Sequence, residues 1–361
     1  MYNEFKQLSE TITLPKLSIC IASYNRGKFI GETLDSILCQ MLPNVELVEL
    51  VELVVLDGAS PDNTADVMTG YVSRYPAIRY IREQENSGID RDYDKAVAYA
   101  KGEYCWLMTD DDLLRPGALS RVLTELDKDI DLVVVNTDVK NANLSKLLNA
   151  SLFNMSSDKT FGIGDGEQLF QDTAQGLSFI GCVIIRRDFW LSRNRESYYG
   201  TLFIHVGVIF QSPSVEKAIF IAEPLLTIRY GNAAWTSRGF EIWMFKWPQL
   251  VWSFNDYFDS SKAIVHPQEP WRRIGLLGFY RAIGGYGITE YRNFIAQRVP
   301  GFRRIPYLLI AIFPAMLMNS FISLYCLLIS NKTPYGMYSL VRSHHATWVT
   351  RGVGRVLDVG N

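Results

Sequence analysis

Three consecutive carboxylates, Asp110, Asp111 and Asp112, follow the apolar run Tyr104 to Met108 after a single Thr109. Adjacent acids repel one another, and hard divalent cations take oxygen ligands. Mg²⁺ typically uses one or two carboxylates plus substrate phosphates. A strand ending in acids therefore suits a clamp for a metal and a diphosphate. The alternative is a solvated acidic turn ahead of a helix expected near Pro116; the apolar strand in front favours the clamp. Asp57 ends a second apolar run and is followed by Gly58-Ala59-Ser60. Its carboxylate can bond a base edge or a ribose hydroxyl, while its plainer role, capping the next helix, is one that Ser60 can fill. Asn86-Ser87-Gly88 precedes a helical stretch and lets backbone approach a ligand, although such turns are common. No GxxxxGK[ST] occurs and no GxGxxG follows the first strand, which excludes P-loop chemistry and the usual dinucleotide fingerprint.

These residues need elements to place them. Leu17 to Ala22, Leu53 to Leu56, Ile78 to Ile81 and Tyr104 to Met108 are short apolar, β-branched or aromatic runs and read as strands. Between them, Phe29, Ile30, Leu34, Ile37 and Leu38 recur at helical spacing, Ser60-Pro61-Asp62 starts a helix, and Asp90 to Lys101 forms another, closed by Gly102. Strands alternating with helices mean βαβ units and a mostly parallel sheet. Ligands of such sheets bind beyond the carboxyl ends of the strands, where Tyr24-Asn25, Asp57 and the Asp triplet all fall. The tripeptide repeat VELVELVEL at 45–53 reads as a local expansion lengthening a connection, with no chemical role.

The 361 residues suggest two or three structural units, and 48% apolar against 20% charged residues can bury a large core. A net charge of −2 argues against a general nucleic-acid binder. Five scattered cysteines form no CxxC pair, so a disulfide framework or zinc site is not expected and a reducing compartment is. The N-terminus has no apolar run of signal-peptide length. From Arg298 onward there are seven basic residues and one acidic; the preceding part has 29 basic and 37 acidic. Inside this basic tail, residues 305–329 carry no charge, and about 20 apolar residues suffice for a transmembrane helix. Arg303, Arg304 and Lys332 flank the segment, with Tyr307, Tyr325, Tyr335 and Tyr338 nearby, as at a lipid interface. Membrane contact is the expectation. The competing reading is a pair of buried core helices broken at Pro314, which Asn319-Ser320 favours, or a re-entrant hairpin.

Taken together, Ser23 to Arg26, VVLDGASPDNT (54–64) and ENSGIDRDYDKAVAYAKGEYCWLMTDDDLLRPGAL (85–119) resemble family 2 glycosyltransferases of the GT-A fold, closest to bacterial O-antigen sugar transferases of the abequosyltransferase-like group. The likeness covers roughly the first 235 residues. It implies a nucleotide-sugar donor, a divalent metal (Mg²⁺ or Mn²⁺) and inversion at the anomeric carbon. Carried over by residue, Ala22, Tyr24 and Asn25 would line the nucleoside and Asp57 would hold the base. Asp110 would hold the ribose, and Asp111 with Asp112 the metal; Gly88 and Arg91 would complete the donor site. Arg229 would reach the diphosphate and Trp235 would stack on a sugar. Gly58 stands where many members have a second acid, Thr109 replaces the first acid of D-x-D, and Tyr93-Asp94 replace a common Arg-Asn pair. No Glu-Asp pair appears between Phe189 and Gln211 to supply a base for the acceptor hydroxyl. His205 is the first candidate for that role, with Glu196 and Asp188 behind it.

The expected architecture is a GT-A-like α/β domain over 15–235, with a nucleotide half to 125 and an acceptor half from 126. An aromatic-rich helical region at 236–302 and a membrane-associated segment with basic tail at 303–361 would follow. The expected reaction is sugar transfer to a hydroxyl of a lipid-linked saccharide, in O-antigen or lipopolysaccharide synthesis at the cytoplasmic face of the inner membrane. Attachment there would be peripheral, monotopic or single-span. A sugar nucleotidyltransferase and a catalytically idle nucleotide-sugar-binding subunit are the alternatives.

Overall fold

A strand buried on both faces of a sheet is an unbroken apolar run, and Leu17–Ser23 (β1) is buried along its whole length. In the computed structural model the described residues are 14–42, 44–232, 238–329 and 334–359. β1 pairs in parallel with Val51–Asp57 (β2) on one side and Tyr104–Met108 (β4) on the other, and β2 continues to Ile78–Arg82 (β3). Val183–Arg186 (β9) runs antiparallel between β4 and Leu132–Lys140 (β6). β6 pairs in parallel with the long Ala218–Arg229 (β10), which also takes the short antiparallel Leu113–Leu114 (β5). Leu147–Asn149 (β7) and Lys159–Phe161 (β8) add to β6 and β10, giving a ten-stranded sheet of order β3-β2-β1-β4-β9-β6-β10-β5. Helices flank it, and the architecture is a GT-A-like α/β fold. The sheet is continuous across residue 125, so the expected nucleotide and acceptor halves share it.

Register decides where the chemistry lies. Ser23 stands opposite Asp57, Asp57 opposite Arg82, and Ile21 opposite Met108. The strand ends therefore deliver the loop after β1, Asp57, Arg82 and the Asp triplet to one rim. Local detail departs from expectation in three places. The helix expected from Ser60 begins at Thr64, because Asp62 turns its carboxylate back onto the Thr64 N–H and hydroxyl. The helix expected near Pro116 begins at Ala118. The tripeptide repeat forms a short helix, Val45–Leu50, and then runs directly into β2. All five cysteines are free.

Beyond Gly239 the described residues carry helices and no strand, around a second core that includes Phe240, Met244, Trp271, Leu277 and Tyr286. The uncharged segment forms helices Ile305–Ile312 and Ala315–Ile329, broken at Phe313-Pro314. Both arms of this pair, Gly301–Ile312 and Ala315–Leu328, meet at 92°. Among the described residues no single helix is long and apolar enough to cross a membrane. Ala315–Ile329 is built inside out: Ala315, Asn319, Ser323 and Cys326 face the protein, while Met316, Leu317, Phe321, Leu324, Tyr325 and Leu328 are exposed. The buried-core reading of this segment therefore fails for most of its large apolar side chains. Asn319 carries the inward contact. Its amide donates to Ala282 O (3.0 Å), Leu340 O (3.2 Å) and Ser343 Oγ (3.0 Å) and accepts from the Thr350 hydroxyl.

Truncating Asn319 strands those partners in a buried place, which costs about 1–3 kcal/mol for each group left unpaired. Asn319→Ala is expected to speed amide exchange across 315–342 by at least tenfold while leaving β1, β2 and β4 unchanged. Hydrogen exchange read by mass spectrometry checks this.

Candidate active site

The rim starts with the loop after β1. The Asn25 N–H bonds Ser60 Oγ (2.9 Å), the Arg26 N–H bonds Thr64 Oγ1 (3.1 Å) and the Gly27 N–H bonds an Asp62 oxygen (2.9 Å). Three successive backbone donors are thus anchored to the 60–64 turn, which fixes Tyr24 and Asn25 with their side chains exposed. Asn25 sits at φ +61°, a left-handed conformation Asn tolerates. Ala22, next to the last residue of β1, is buried. Asp57 is fully buried and accepts from the Ser60 N–H (2.7 Å) and the Tyr80 hydroxyl (2.6 Å), with Arg82 3.8 Å away. Burial and the adjoining Asp57 push the Tyr80 hydroxyl well above the usual phenol range. It stays protonated and donates.

Gly58 has a structural reason here. A Cβ on it would stand 2.7 Å from a carboxylate oxygen of Asp92. Asp92, from helix Ile89–Tyr99, is buried, takes a bond from Ser87 Oγ (2.6 Å) and is raised in pKa chiefly by burial, with Glu83 and Asp57 adding to it. It brings an acid to the place that Gly58 leaves empty. Gly88, at φ +86° with open space around it, starts the same helix, as a left-handed turn requires.

The triplet divides its labour. Asp110 and Asp111 are each about one-tenth exposed. Burial raises both pKa values; for Asp110 the Asp111 charge is the next cause, and Arg26 opposes the rise at each. The Arg26 guanidinium lies 3.4 Å from Asp110 and 3.9 Å from Asp111. Asp112 is different: one oxygen takes the Thr109 hydroxyl and the other the Arg229 N–H (2.6 Å). Its expected part as metal ligand conflicts with that, because both oxygens are committed inside the protein. Thr109, read as a weakened metal motif, works as the partner that holds Asp112.

Arg229 also lies elsewhere than expected. Its guanidinium bonds the Asp111 carbonyl (3.0 Å), the Ala142 carbonyl (3.2 Å) and the Glu32 carboxylate, and lies over the Phe29 ring. It holds the backbone of the triplet and is 7% exposed. The cation that faces the acids is Arg26. Sequence reasoning passed over Arg26 and Asp92; their signal was position, directly after Tyr24-Asn25 and one turn into the helix after Gly88.

On the other side of the rim, Asp90 ties two elements together. It accepts from the N–H groups of Gly200 (2.8 Å), Leu202 (2.9 Å) and Ile204 (3.1 Å), so one buried carboxylate joins helix Ile89–Tyr99 to the start of helix Ile204–Phe210. Asp94 bonds Trp190 Nε1 (2.9 Å) and the Tyr199 hydroxyl (2.5 Å) and pairs with Arg195 (2.8 Å), which makes it a strut. Arg91 is exposed and lies over the Tyr199 ring, 4.6 Å from its centre. His205 is 2% exposed. Its Nε2 lies 2.7 Å from the Leu177 carbonyl and its Nδ1 has no partner. The carbonyl fixes the proton on Nε2, and burial lowers the ring pKa to about 4. Glu196 is exposed in the turn Glu196–Tyr198. Asp188 is remote from the rim: neighbouring Arg187 bonds the Glu103 carbonyl at the amino end of β4. Trp235 lies outside the described residues.

Among the described residues no group of three or more His, Cys, Asp or Glu side chains is arranged to hold a metal ion. The two available carboxylates, Asp110 and Asp111, fit half of a divalent site, of the kind that phosphate oxygens and water complete.

Residues 18–192 match the family described as Glycosyl transferase family 2. Abequosyltransferase RfbV of Salmonella typhimurium is 26% identical over 235 residues, 62% of this chain and 69% of that protein. The fold is similar to that of Staphylococcus aureus TarS 1–349 in complex with UDP, with a TM-score of 0.51 and 15% identity over 96% of this chain and 92% of that one. It is also similar to a Pyrobaculum calidifontis mannosyltransferase in complex with GDP-Man and Mn²⁺, with a TM-score of 0.50 and 15% identity over 84% and 88% of the two chains.

The His205 ring should titrate near pH 4 by NMR, with the proton on Nε2 above that; a midpoint of 6–7 would contradict its burial. Its folded pKa is depressed, so its contribution to stability is complete above about pH 6.5 and is lost as pH falls toward 4. The stability difference between wild type and His205→Phe, measured by urea unfolding, should shift in that window and stay flat above it.

Proposed function

Starting from the fact that residues 18–192 are a family 2 glycosyltransferase domain and the chain is a glycosyltransferase of GT-A fold, we propose that it transfers a sugar from a nucleoside-diphosphate donor to a hydroxyl of a lipid-linked saccharide, with inversion, in O-antigen-type polysaccharide synthesis. The observation that carries this reading is the meeting of Asp57, Asp110 and Asp111 with the 22–27 loop along one strand-end rim. Asp57, held by Tyr80 and Ser60, reads the base, with Asp92 as the second acid. Ala22, Tyr24, Asn25 and Gly88 border the nucleoside, and Asp110 takes a ribose hydroxyl. Arg26 presents a cation to the diphosphate, and the exposed Arg91, over the Tyr199 ring, offers a second from the facing helix.

Asp111 with Asp110 would hold a divalent ion, Mg²⁺ or Mn²⁺, and that ion would offset the charge of the departing diphosphate. Asp112 and Arg229 fix the backbone from which both carboxylates project. His205, the base expected for the acceptor hydroxyl, is enclosed: its Nε2 is held by the Leu177 carbonyl and its Nδ1 has no opening toward an acceptor, so burial weighs against that role. A cavity of about 310 Å³ lies between Lys28, residues 141–143 and the face of helix Pro334–Arg342 that carries Tyr338 and Arg342. Its two cations suit a phosphate-bearing acceptor. The family assignment weighs against the nucleotidyltransferase alternative, and the intact Asp110-Asp111 pair weighs against the idle subunit.

The deciding experiment incubates the protein with UDP-, dTDP-, GDP- and CDP-sugars, Mn²⁺ and a lipid-linked saccharide. Release of nucleoside diphosphate that depends on acceptor is expected; pyrophosphate release, or none, would overturn the reading. Asp111→Asn should lower turnover by at least a hundredfold. Lys28→Ala with Arg342→Ala should raise acceptor KM severalfold at constant kcat for a phosphate-bearing acceptor and leave a neutral saccharide unaffected.

A further inference from the structure

An apolar face turned outward is costly in water, and monomeric proteins rarely expose a large contiguous one. Here it extends over two successive helices. Phe302 (79%), Ile305, Leu309 and Ile312 are exposed on the first arm, and Met316, Leu317, Phe321 (58%), Leu324, Tyr325 and Leu328 (83%) on the second. The inward face of the second arm meanwhile carries Asn319 and Ser323, both fully buried. This is the reverse of a helix made for water outside and a core inside. At ~1.5 Å per residue each arm is roughly 20 Å long, short of the ~30 Å hydrocarbon layer, and the 92° bend prevents them from adding end to end.

Charge identifies the occupant. Arg303 and Arg304 are exposed at the start of the first arm. Helix Trp348–Val356 packs on the second arm through Thr350 and Asn319, and it brings the exposed side chains Trp348 (85%), Arg351 and Arg355. An aromatic and several guanidinium groups around an apolar face match headgroups above acyl chains. A second copy of the chain would bring these arginines against one another.

We propose that the bent helices 301–328, with helix Trp348–Val356, seat this protein in the plane of an anionic bilayer surface, one leaflet deep, without crossing it. The seat is coupled to the catalytic rim. Asn319 binds the Leu340 carbonyl, helix Pro334–Arg342 presents Tyr335 and Tyr338 to the Tyr230 ring (5.2 and 5.8 Å between ring centres), and Tyr230 follows Arg229. The Tyr338 hydroxyl also accepts from the Ala142 N–H (3.0 Å). A saccharide carried on a lipid in that leaflet would meet the rim from the same side.

Flotation of the full chain with lipid vesicles tests this without any sugar substrate, so it stands or falls separately from the reaction proposed above. Expected are binding to phosphatidylglycerol-containing vesicles, about tenfold weaker binding to phosphatidylcholine alone, and loss of that difference at ~1 M salt, where the screening length is about 3 Å. Leu309→Glu with Phe321→Glu, both at exposed sites, should lower binding to either vesicle by at least tenfold while circular dichroism and donor-dependent turnover of a soluble acceptor persist. Arg303→Glu with Arg304→Glu should lower the anionic preference at least threefold and leave binding to phosphatidylcholine unchanged. Three results would overturn the proposal: no flotation with either vesicle, retention through alkaline carbonate as for a spanning protein, or a dimer in light scattering that the Phe321→Glu change dissolves.

Discussion

Two carboxylates held side by side in a mostly buried rim are the constraint around which the structure is arranged. Asp110 and Asp111 gain nothing from each other, and burial makes their ionised forms more costly still. They remain in place because two distant segments converge on them and their own turn is closed from within. The loop after β1 brings Arg26, with its backbone laced to the 60–64 turn. The end of β10 brings Arg229, whose N–H and guanidinium grip Asp112 and the Asp111 carbonyl. Thr109 closes the turn from within. An acidic pair so braced is organised before any ligand arrives, the condition under which fixed charges are most useful to a reaction.

The same economy extends along the rim. Asp57 reaches the edge through strand register, and its two donors leave it no freedom to turn away. Asp92 occupies the volume beside Gly58, so the acid missing from β2 is supplied by the next helix but one. Asp90 and Asp94, two and six residues from the helix start at Gly88, fasten the 190–204 segment to the helix that follows β3 with five hydrogen bonds and an ion pair. One helix therefore fixes both sides of the cleft.

The C-terminal helices follow a different rule. Their polar residues are turned inward, where Asn319 gathers carbonyls and hydroxyls from three other segments, and their large apolar residues are turned outward. Through Tyr335, Tyr338 and Tyr230 this outward face is joined mechanically to the strand that braces the acids. An apolar surface and a charged cleft are thus held in fixed relation by aromatic packing.

Apolar runs of strand length, helical spacing between them and acids at their ends were enough to read β1 to β4, the parallel pairing among them and the rim itself, because burial on both faces of a sheet imposes that pattern locally. The break at Pro314 was legible because proline lacks the N–H that a continuing helix needs. Side-chain direction was not. Whether Asp112 or Asp110 faces the cleft, whether Arg26 or Arg229 meets the acids, and that Asp92 stands beside Gly58 depend on contacts between residues tens to more than a hundred positions apart. The antiparallel insertion of β9, and the choice of Asn319 over Phe321 as the buried side of its helix, depend equally on distant partners. Sequence sets which residues can be buried and which can carry charge; only the assembled neighbours set where each finally points, since at a strand end or a helix face the deciding energies come from hydrogen bonds and ion pairs across the fold.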